Sequence, residues 1–467
     1  MAKGYDVVIV GGGPAGIFTA LELSQSSDLR ILILEKGKDL NKRHCPGAHN
    51  YSGCLSCFPC AMVSGWGGAG AFSDGKLTLS PDVGGHLCEY EGVNKVKGLI
   101  NYVDHLYGEF GATASLYGAG SEGEAIGKKA TEAGLHLIPV PVRHLGTEHC
   151  YHVLRNMYDA LVDRVEIRTS VTAESIVTEE GRIKGIETED GEFIETKYLV
   201  VAPGREGSDW LAKQAAWLGL TTDNNPVDLG LRIEVPNEVL ADLTDILYEP
   251  KLEYYSTVFK DRIRTFCVCP AGEVTLESTG GTDPVVTVNG HSYADRKSPN
   301  TNFALLGSAK FGEPFKDPIT YGRSVAKLAN LLADGVIMQR YGDLERGHCS
   351  TSAGMSEWVV QPTLKNATPG DINAVLPYRF LKGIKEMIVA LDKLAPGVAS
   401  PHTLLYGVEV KFYSSRLHLT QNLETEIRNV FAIGDGAGVT RGLVQASASG
   451  VIAAQEILKR TKTSSTN

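Results

Sequence analysis

The first thirty-five residues constrain the fold more than any other part of the chain. Residues 5–10 (YDVVIV) form a short, β-branched apolar run with the composition of a strand buried on both faces. The run enters Gly11-Gly12-Gly13-Pro14-Ala15-Gly16, which fits G-x-G-x-x-G, and a helical pattern follows with Ile17, Phe18, Ala20, Leu21 and Leu23 apolar. A second apolar run, residues 30–34, ends at Glu35. Strand, glycines, helix, strand and acid in this order predict a βαβ dinucleotide-binding unit. Gly11 makes the tight turn, Gly13 lets backbone approach a pyrophosphate, and Gly16 lets helix pack on strand. Pro14 and Ala15 open a helix whose N-terminal N–H groups and dipole favour phosphate. Glu35 is placed to accept hydrogen bonds from a ribose diol, and its charge disfavours a 2′-phosphate.

At 467 residues the chain exceeds one ordinary core, so more than one domain is expected. A formal net charge of -10 argues against a general nucleic-acid binder, because neutralising phosphates needs a Lys/Arg surplus. No stretch approaches the ~20 consecutive apolar residues of a membrane-spanning helix, so no membrane insertion is expected. The N-terminus carries no charged-then-apolar signal pattern, and a cytoplasmic location is the default expectation.

The choice among dinucleotides comes from the other end. Residues 429–435 (NVFAIGD) read as a buried strand ending in Gly434-Asp435, and a strongly apolar helix begins near Leu443. A strand ending in Ala-Ile-Gly-Asp before a final helix resembles the second FAD motif of the glutathione-reductase-like flavoproteins. The resemblance implies that Asp435 bonds the ribityl chain and that backbone near Gly442 and Leu443 faces the N1–C2 edge of the flavin. A small β-meander between about residues 165 and 186 is followed by residues 198–204 (YLVVAPG), similar to the strand that passes under the adenine side in the same enzymes. Lys36, Gly67, Gly68, Ala69, Ala173, Ala202 and Gly204 complete the expected FAD contacts. Residues 65–76 (GWGGAGAFSDGK), 264–270 (RTFCVCP) and 434–450 extend the resemblance over most of the chain, to the poorly characterised FAD-dependent dehydrogenases of bacteria and archaea. The second G-x-G-x-x-G, at Gly118 to Gly123, has a poor strand before it and no acid-terminated strand after it. It reads as an ordinary loop, which leaves NAD(P)H only as a diffusing electron donor.

Cys45, Cys54, Cys57 and Cys60 have the ligand inventory of a bacterial-ferredoxin-type [4Fe–4S] cluster, with the Cys-Pro placed first instead of last. Three readings stay open: a cluster feeding the flavin, a flavin-linked dithiol between Cys54 and Cys60, and structural or zinc-bound thiols. The glycine-rich turn at residues 65–75 is expected to wrap the flavin or pyrophosphate, with Lys76 as a candidate tuner of the flavin or an ordinary ion-paired turn residue. Cys267 and Cys269 alternate along a strand and are expected on one face, as packing residues or facing substrate.

The expected fold is α/β: a Rossmann-like FAD-binding domain, three-layered, with a parallel sheet plus β-meander, and an inserted α+β substrate domain. The expected boundaries are 1–225 (its segment 43–80 facing the flavin), 226–405 for the insert covering the flavin face, and 406–467. Weak acid–base candidates are Lys76, Arg264, His291, His402, Glu409 and Lys411, with Asn300 and Asn302 as further polar groups. The expected function is two-electron exchange between flavin N5 and a small organic substrate at a C=C or CH–CH bond. Two rivals are an electron-transfer flavoprotein serving a ferredoxin-like redox partner, and a dithiol oxidoreductase using the Cys54–Cys60 region. A flavoprotein acting on RNA is a further alternative that the acidic charge disfavours.

Overall fold

The computed structural model describes residues 4–46, 57–113, 115–223, 225–279, 285–292, 296–309, 317–333, 335–353, 355 and 358–464. The chain divides into two compact units, one of Met1–Ser115, Arg143–Asn225 and Ser414–Asn467, the other of Leu116–Val142 and Pro226–Tyr413. The segment 116–142, which the sequence reading kept with the first domain, therefore lies in the second unit.

The first unit is built on one sheet in the order Glu166–Thr169, Ile31–Glu35, Tyr5–Val10, Phe193–Val201, Arg182–Thr188, Ala173–Glu179, with Val430–Ala432 also pairing with Phe193–Val201. Tyr5–Val10 runs parallel to both neighbours, Val8 lying opposite Leu32 on one side and Leu199 on the other. Val430–Ala432 adds a further parallel pairing, with Phe431 opposite Val200. The apolar runs form these strands because both faces are covered: Val7, Val8, Ile9, Leu32, Ile33, Leu199 and Phe431 are fully buried. The meander strands pair antiparallel and continue the sheet from Phe193–Val201.

Two helices lie side by side on this sheet, Pro14–Ser26 and the closing helix Leu443–Ser464. Their approach is set by Gly450, where a Cβ would come within 2.2 Å of the Ala15 carbonyl oxygen. Gly16 makes the corresponding approach of helix to turn, since a Cβ there would sit 2.0 Å from the Gly11 oxygen. The glycine spacing of the fingerprint thus has the packing role that its sequence context predicted. This is a Rossmann-like dinucleotide-binding architecture.

The second unit is a mixed eight-stranded sheet with helices, Asn237–Leu247, Pro318–Ala333 and Tyr378–Leu394 among them. Its long strand Val227–Pro236 lies between Asn300–Ala309 and Leu404–Lys411, antiparallel to both. Val227, Leu229, Leu231, Ile233 and Val235 point into an apolar core with Ile384, Met387 and Leu391 of the last helix. The second glycine motif belongs here. It opens the helix Ser121–Glu132, and the strand that follows, His136–Ile138, pairs antiparallel with Lys251–Tyr255. A parallel βαβ unit is therefore not formed around it. No helix among the described residues is long and apolar enough to cross a membrane.

Candidate functional site

The fingerprint turn of the first unit is organised around Glu35. Its carboxylate is buried and accepts three backbone N–H bonds: Oε2 from Gly12 at 2.7 Å, Oε1 from Gly37 at 2.8 Å and from Gly65 at 2.9 Å. One side chain at the end of the second strand therefore ties the nucleotide turn to the glycine-rich turn. Gly67 N–H adds a 2.7 Å bond to the Gly12 carbonyl, and Trp66 anchors the far side through its indole N–H on the Leu154 carbonyl at 3.0 Å. With three of about four lone-pair sites taken, the carboxylate keeps capacity on Oε2 for one further donor, as a ribose hydroxyl would be.

Arg43 performs the parallel task for the stretch after the cysteines. Its guanidinium is 5% exposed and donates to the carbonyls of Ala61 (2.9 Å), Trp66 (2.6 Å) and Met62 (3.0 Å). Burial lowers its pKa from the ordinary value, and the nearby Glu35 and Cys60 oppose that. Residues 61–66 are folded around this cation. Among the described residues no group of three or more His, Cys, Asp or Glu side chains is placed to hold a metal ion. Cys45 and Cys60 are half-buried, Cys57 is exposed, and Cys54 lies outside the described residues. The four-thiolate convergence expected for an iron–sulfur cluster is not supported by these three thiols.

The third segment of the site is the C-terminal motif. Asp435 Oδ1 accepts from the Thr440 hydroxyl at 2.8 Å and from Gly442 N–H at 3.3 Å, while Oδ2 has only a 3.4 Å contact with Gly442 N–H and Arg205 Nε at 3.9 Å. Burial pushes the Asp435 carboxyl up from its ordinary pKa, against the opposing effects of Arg205, Thr440 and Gly442. A carboxylate this short of donors suits a hydroxyl-bearing ligand. Gly442 has φ 113°, and a Cβ there would meet nothing within 4 Å, so the space beside the N-terminus of the closing helix is open. Gly204, with φ 63°, leaves similar room. The fingerprint helix, the glycine-rich turn and the closing helix meet at a small apolar cavity lined by Pro14, Gly67, Gly70, Tyr107 and Leu443. The residues present thus fit an extended dinucleotide with a polyhydroxyl chain.

Other expected contacts have more local partners. Lys76 is ion-paired with Asp74 at 3.0 Å, and Lys36 sits 3.9 Å from Glu206. Ala173 begins a meander strand and is buried, and Ala202 donates its N–H to the Val10 carbonyl at 2.8 Å.

The second unit brings together three of the six acid–base candidates. Along Val227–Pro236 the residues facing away from the apolar core are Asp228, Arg232 and Glu234, all at most 1% exposed. Arg232 Nη1 pairs with Glu409 at 3.1 Å and its Nε donates to Asn302 Oδ1 at 3.0 Å. Lys411 joins Glu409 at 3.4 Å and Glu277 at 2.9 Å. Arg264 pairs with Asp228, which also accepts from the Ser308 and Tyr413 hydroxyls. Glu234 accepts from Tyr406, Thr363 and Asn300. This face is closed by the hairpin of Glu273–Thr279 and Val285–His291. Gly290 permits the closure, since a Cβ there would lie 2.2 Å from both Arg232 Nη2 and Asn302 Oδ1.

Glu409 and Lys411 are therefore members of a buried ion-pair layer, and half-buried Arg264 joins it through Asp228. His291 ends the covering hairpin, and His402 is half-buried near Ser400, with Nδ1 lacking a hydrogen-bond partner. Asp228, Arg232, Glu234 and Tyr406 were not singled out from sequence. The signal was present in the two-residue alternation of 227–235, where the polar positions invite assignment to solvent.

A family model described as "FAD-dependent protein, C-terminal domain-like" matches residues 226–412. An uncharacterized protein of Clostridium beijerinckii is 27% identical over 479 residues, covering 97% of this chain and 80% of that one. The mitochondrial electron transfer flavoprotein-ubiquinone oxidoreductase of Oryza sativa subsp. japonica is 44% identical over 57 residues, 11% of this chain and 9% of that one. Among solved structures, L-proline dehydrogenase from P. horikoshii aligns at TM-score 0.42 and 13% identity, covering 98% of this chain and 95% of that one. A geranylgeranyl bacteriochlorophyll reductase-like protein from Thermoplasma acidophilum aligns at TM-score 0.41 and 13% identity, over 98% and 79% of the two chains. Likeness at this level specifies neither substrate nor reaction.

Proposed function

We propose that the protein is an FAD-dependent oxidoreductase that moves two electrons between the flavin and a small organic molecule, at a C=C or CH–CH bond. The observation that carries this reading is the meeting of three chain segments in one unit: the Glu35-clamped nucleotide turn, the glycine-rich turn, and the Asp435 carboxylate beside the N-terminus of the closing helix. FAD, when bound there, supplies hydride chemistry at N5. The chain's own contribution is electrostatic and positional. First-turn N–H groups of Pro14–Ser26 would hold the pyrophosphate, and the Asp435 carboxylate would accept from the ribityl hydroxyls. The positive end of Leu443–Ser464 would favour negative charge at the N1–C2 edge of an FAD held there. The family model over residues 226–412 supports FAD over a nicotinamide nucleotide as the resident cofactor.

The test is anaerobic mixing of the FAD-loaded protein with candidate donors, namely saturated organic acids, amino acids, NADH and NADPH, and reduced ferredoxin, while flavin absorbance is followed. Bleaching by an organic donor, or reoxidation of the reduced flavin by an activated alkene, supports the reading. A flavin that ignores every organic donor and acceptor yet exchanges electrons with ferredoxin makes the protein an electron carrier instead.

A further inference from the structure

We infer that Cys267 and Cys269 of the second unit form a redox-active dithiol that closes to an intramolecular disulfide by exchange with a disulfide of low molecular mass. In a regular strand two residues i and i+2 lie about 6.6 Å apart at Cα. That is the upper end of the roughly 4.4–6.8 Å that a disulfide spans, so a C-x-C pair in an undistorted strand does not close readily. Arg262–Cys269 is distorted at the required place. Its register against Asn300–Ala309 passes from Phe266 opposite Ala304 to Cys269 opposite Asn302, which leaves one residue extra in the cysteine strand. Cys267 has φ 45°, in the left-handed region. This bulge brings the two sulfur atoms to 3.8 Å.

The surroundings suit exchange. Arg232 Nη2 lies 3.8 Å from Cys269 Sγ and donates to the Cys267 carbonyl at 2.7 Å. A guanidinium this close favours a thiolate over a thiol, although Glu409 shares that cation. The pair is also asymmetric: Cys267 is half-buried and Cys269 has no exposed surface. Only Cys267 can meet a diffusing partner, and Cys269 is the group that resolves the intermediate.

The chemistry closes without a further reactant. The Cys267 thiolate attacks one sulfur of R–S–S–R, an S–S bond forms to the protein, and R–S⁻ leaves and takes up a proton. Cys269 loses its proton and attacks Cys267 Sγ, expelling the second R–S⁻. The protein dithiol is oxidised by two electrons and the small disulfide is reduced to two thiols.

The full-length, FAD-loaded protein is equilibrated in glutathione buffers from fully reduced to fully oxidised, trapped by an alkylating agent, digested with trypsin and weighed. The 265–296 peptide carries these two cysteines and no other. It is expected to pass in one step from doubly alkylated to an unalkylated species lighter than the dithiol form by two hydrogens. In the Cys269→Ala variant Cys267 should alkylate, or hold glutathione, at least about tenfold faster than Cys269 does in Cys267→Ser, as exposure dictates. If the Cys269 variant fails to fold, the Cys267→Ser variant still tests the pair: in the oxidised buffer its 265–296 peptide should keep Cys269 as a free thiol open to the alkylating agent and form no intramolecular disulfide. A peptide still doubly alkylated at the oxidised extreme overturns the proposal, as does wild-type protein that accumulates a lasting glutathione adduct on Cys267.

Discussion

Replacing Glu35 by glutamine changes one oxygen and should uncouple two turns. The carboxylate accepts from Gly12 through Oε2 and from Gly37 and Gly65 through Oε1. A glutamine keeps one carbonyl oxygen for Gly37 and Gly65 but turns an NH₂ toward the Gly12 N–H. One acceptor is lost, two donors face each other, and the surviving bonds lose their charge assistance. Hydrogen bonds to charged groups contribute roughly 1.5–3 kcal/mol, and an orphaned buried donor costs a comparable amount, so Glu35→Gln should destabilise the first unit by about 2–4 kcal/mol. For a unit of this size that corresponds to a fall in Tm of roughly 4–16 °C. Glu35→Ala, which removes all three bonds, should cost more. The assay is thermal unfolding of apo and FAD-loaded protein by circular dichroism, with FAD affinity from fluorescence quenching. If Glu35→Gln unfolds within about 0.5 kcal/mol of the parent, the range of an ordinary surface substitution, the carboxylate is not what joins the two turns.

Gly450→Val should force the two packed helices apart, since even a Cβ would lie 2.2 Å from the Ala15 oxygen; a loss of at least about 1–3 kcal/mol is expected in denaturant unfolding. In the second unit, Arg232→Met removes one of the two cations paired with Glu409, Lys411 at 3.4 Å remaining, and should cost roughly 1.5–3 kcal/mol, with a double-mutant cycle against Glu409→Leu showing coupling of about 0.5–3 kcal/mol. Burial pushes the Asp228 carboxyl up, but Arg264 and the Ser308 and Tyr413 hydroxyls outweigh it and hold its pKa below the ordinary value. The stabilisation is therefore complete above the unfolded pKa of about 3.9 and is lost as pH falls through the lower folded value. Acid unfolding of the parent should steepen below that pH, and Asp228→Asn should be less stable at neutrality with a flatter acid limb.

The nucleotide unit was legible because its chemistry is local. Val7 to Val10, Gly16 and Glu35 are set by a spacing that only a tight strand–turn–helix satisfies, and the structure places each in that geometry. Glu35 is more constrained than its spacing implies, since the donors at Gly37 and Gly65 come from turns whose approach no periodicity encodes. The cysteine stretch has a ligand-like spacing, but what organises residues 61–66 is Arg43, one of several basic residues (Lys36, Lys38, Lys42) just before the cysteines and indistinguishable in sequence from a surface arginine. In the second unit, the two-residue alternation of 227–235 carries no sign that Asp228, Arg232 and Glu234 are covered. A hairpin that exists only in three dimensions covers them, and Gly290 is where it touches. The same limit applies to Cys267 and Cys269: strict alternation predicts a flat strand, and the bulge that draws the sulfurs together follows from pairing with Asn300–Ala309.

The most direct measurement is flavin content and affinity of the full chain. After incubation with FAD and removal of free ligand, acid release and chromatography should recover close to one FAD per chain, with no comparable retention of FMN or NAD(P)H. Asp435→Ala should weaken FAD binding at least about tenfold, ~1.4 kcal/mol, while leaving the circular dichroism spectrum unchanged. Retention of no flavin at saturating FAD, or of a nicotinamide nucleotide in its place with Asp435→Ala indistinguishable from the parent, would contradict the account.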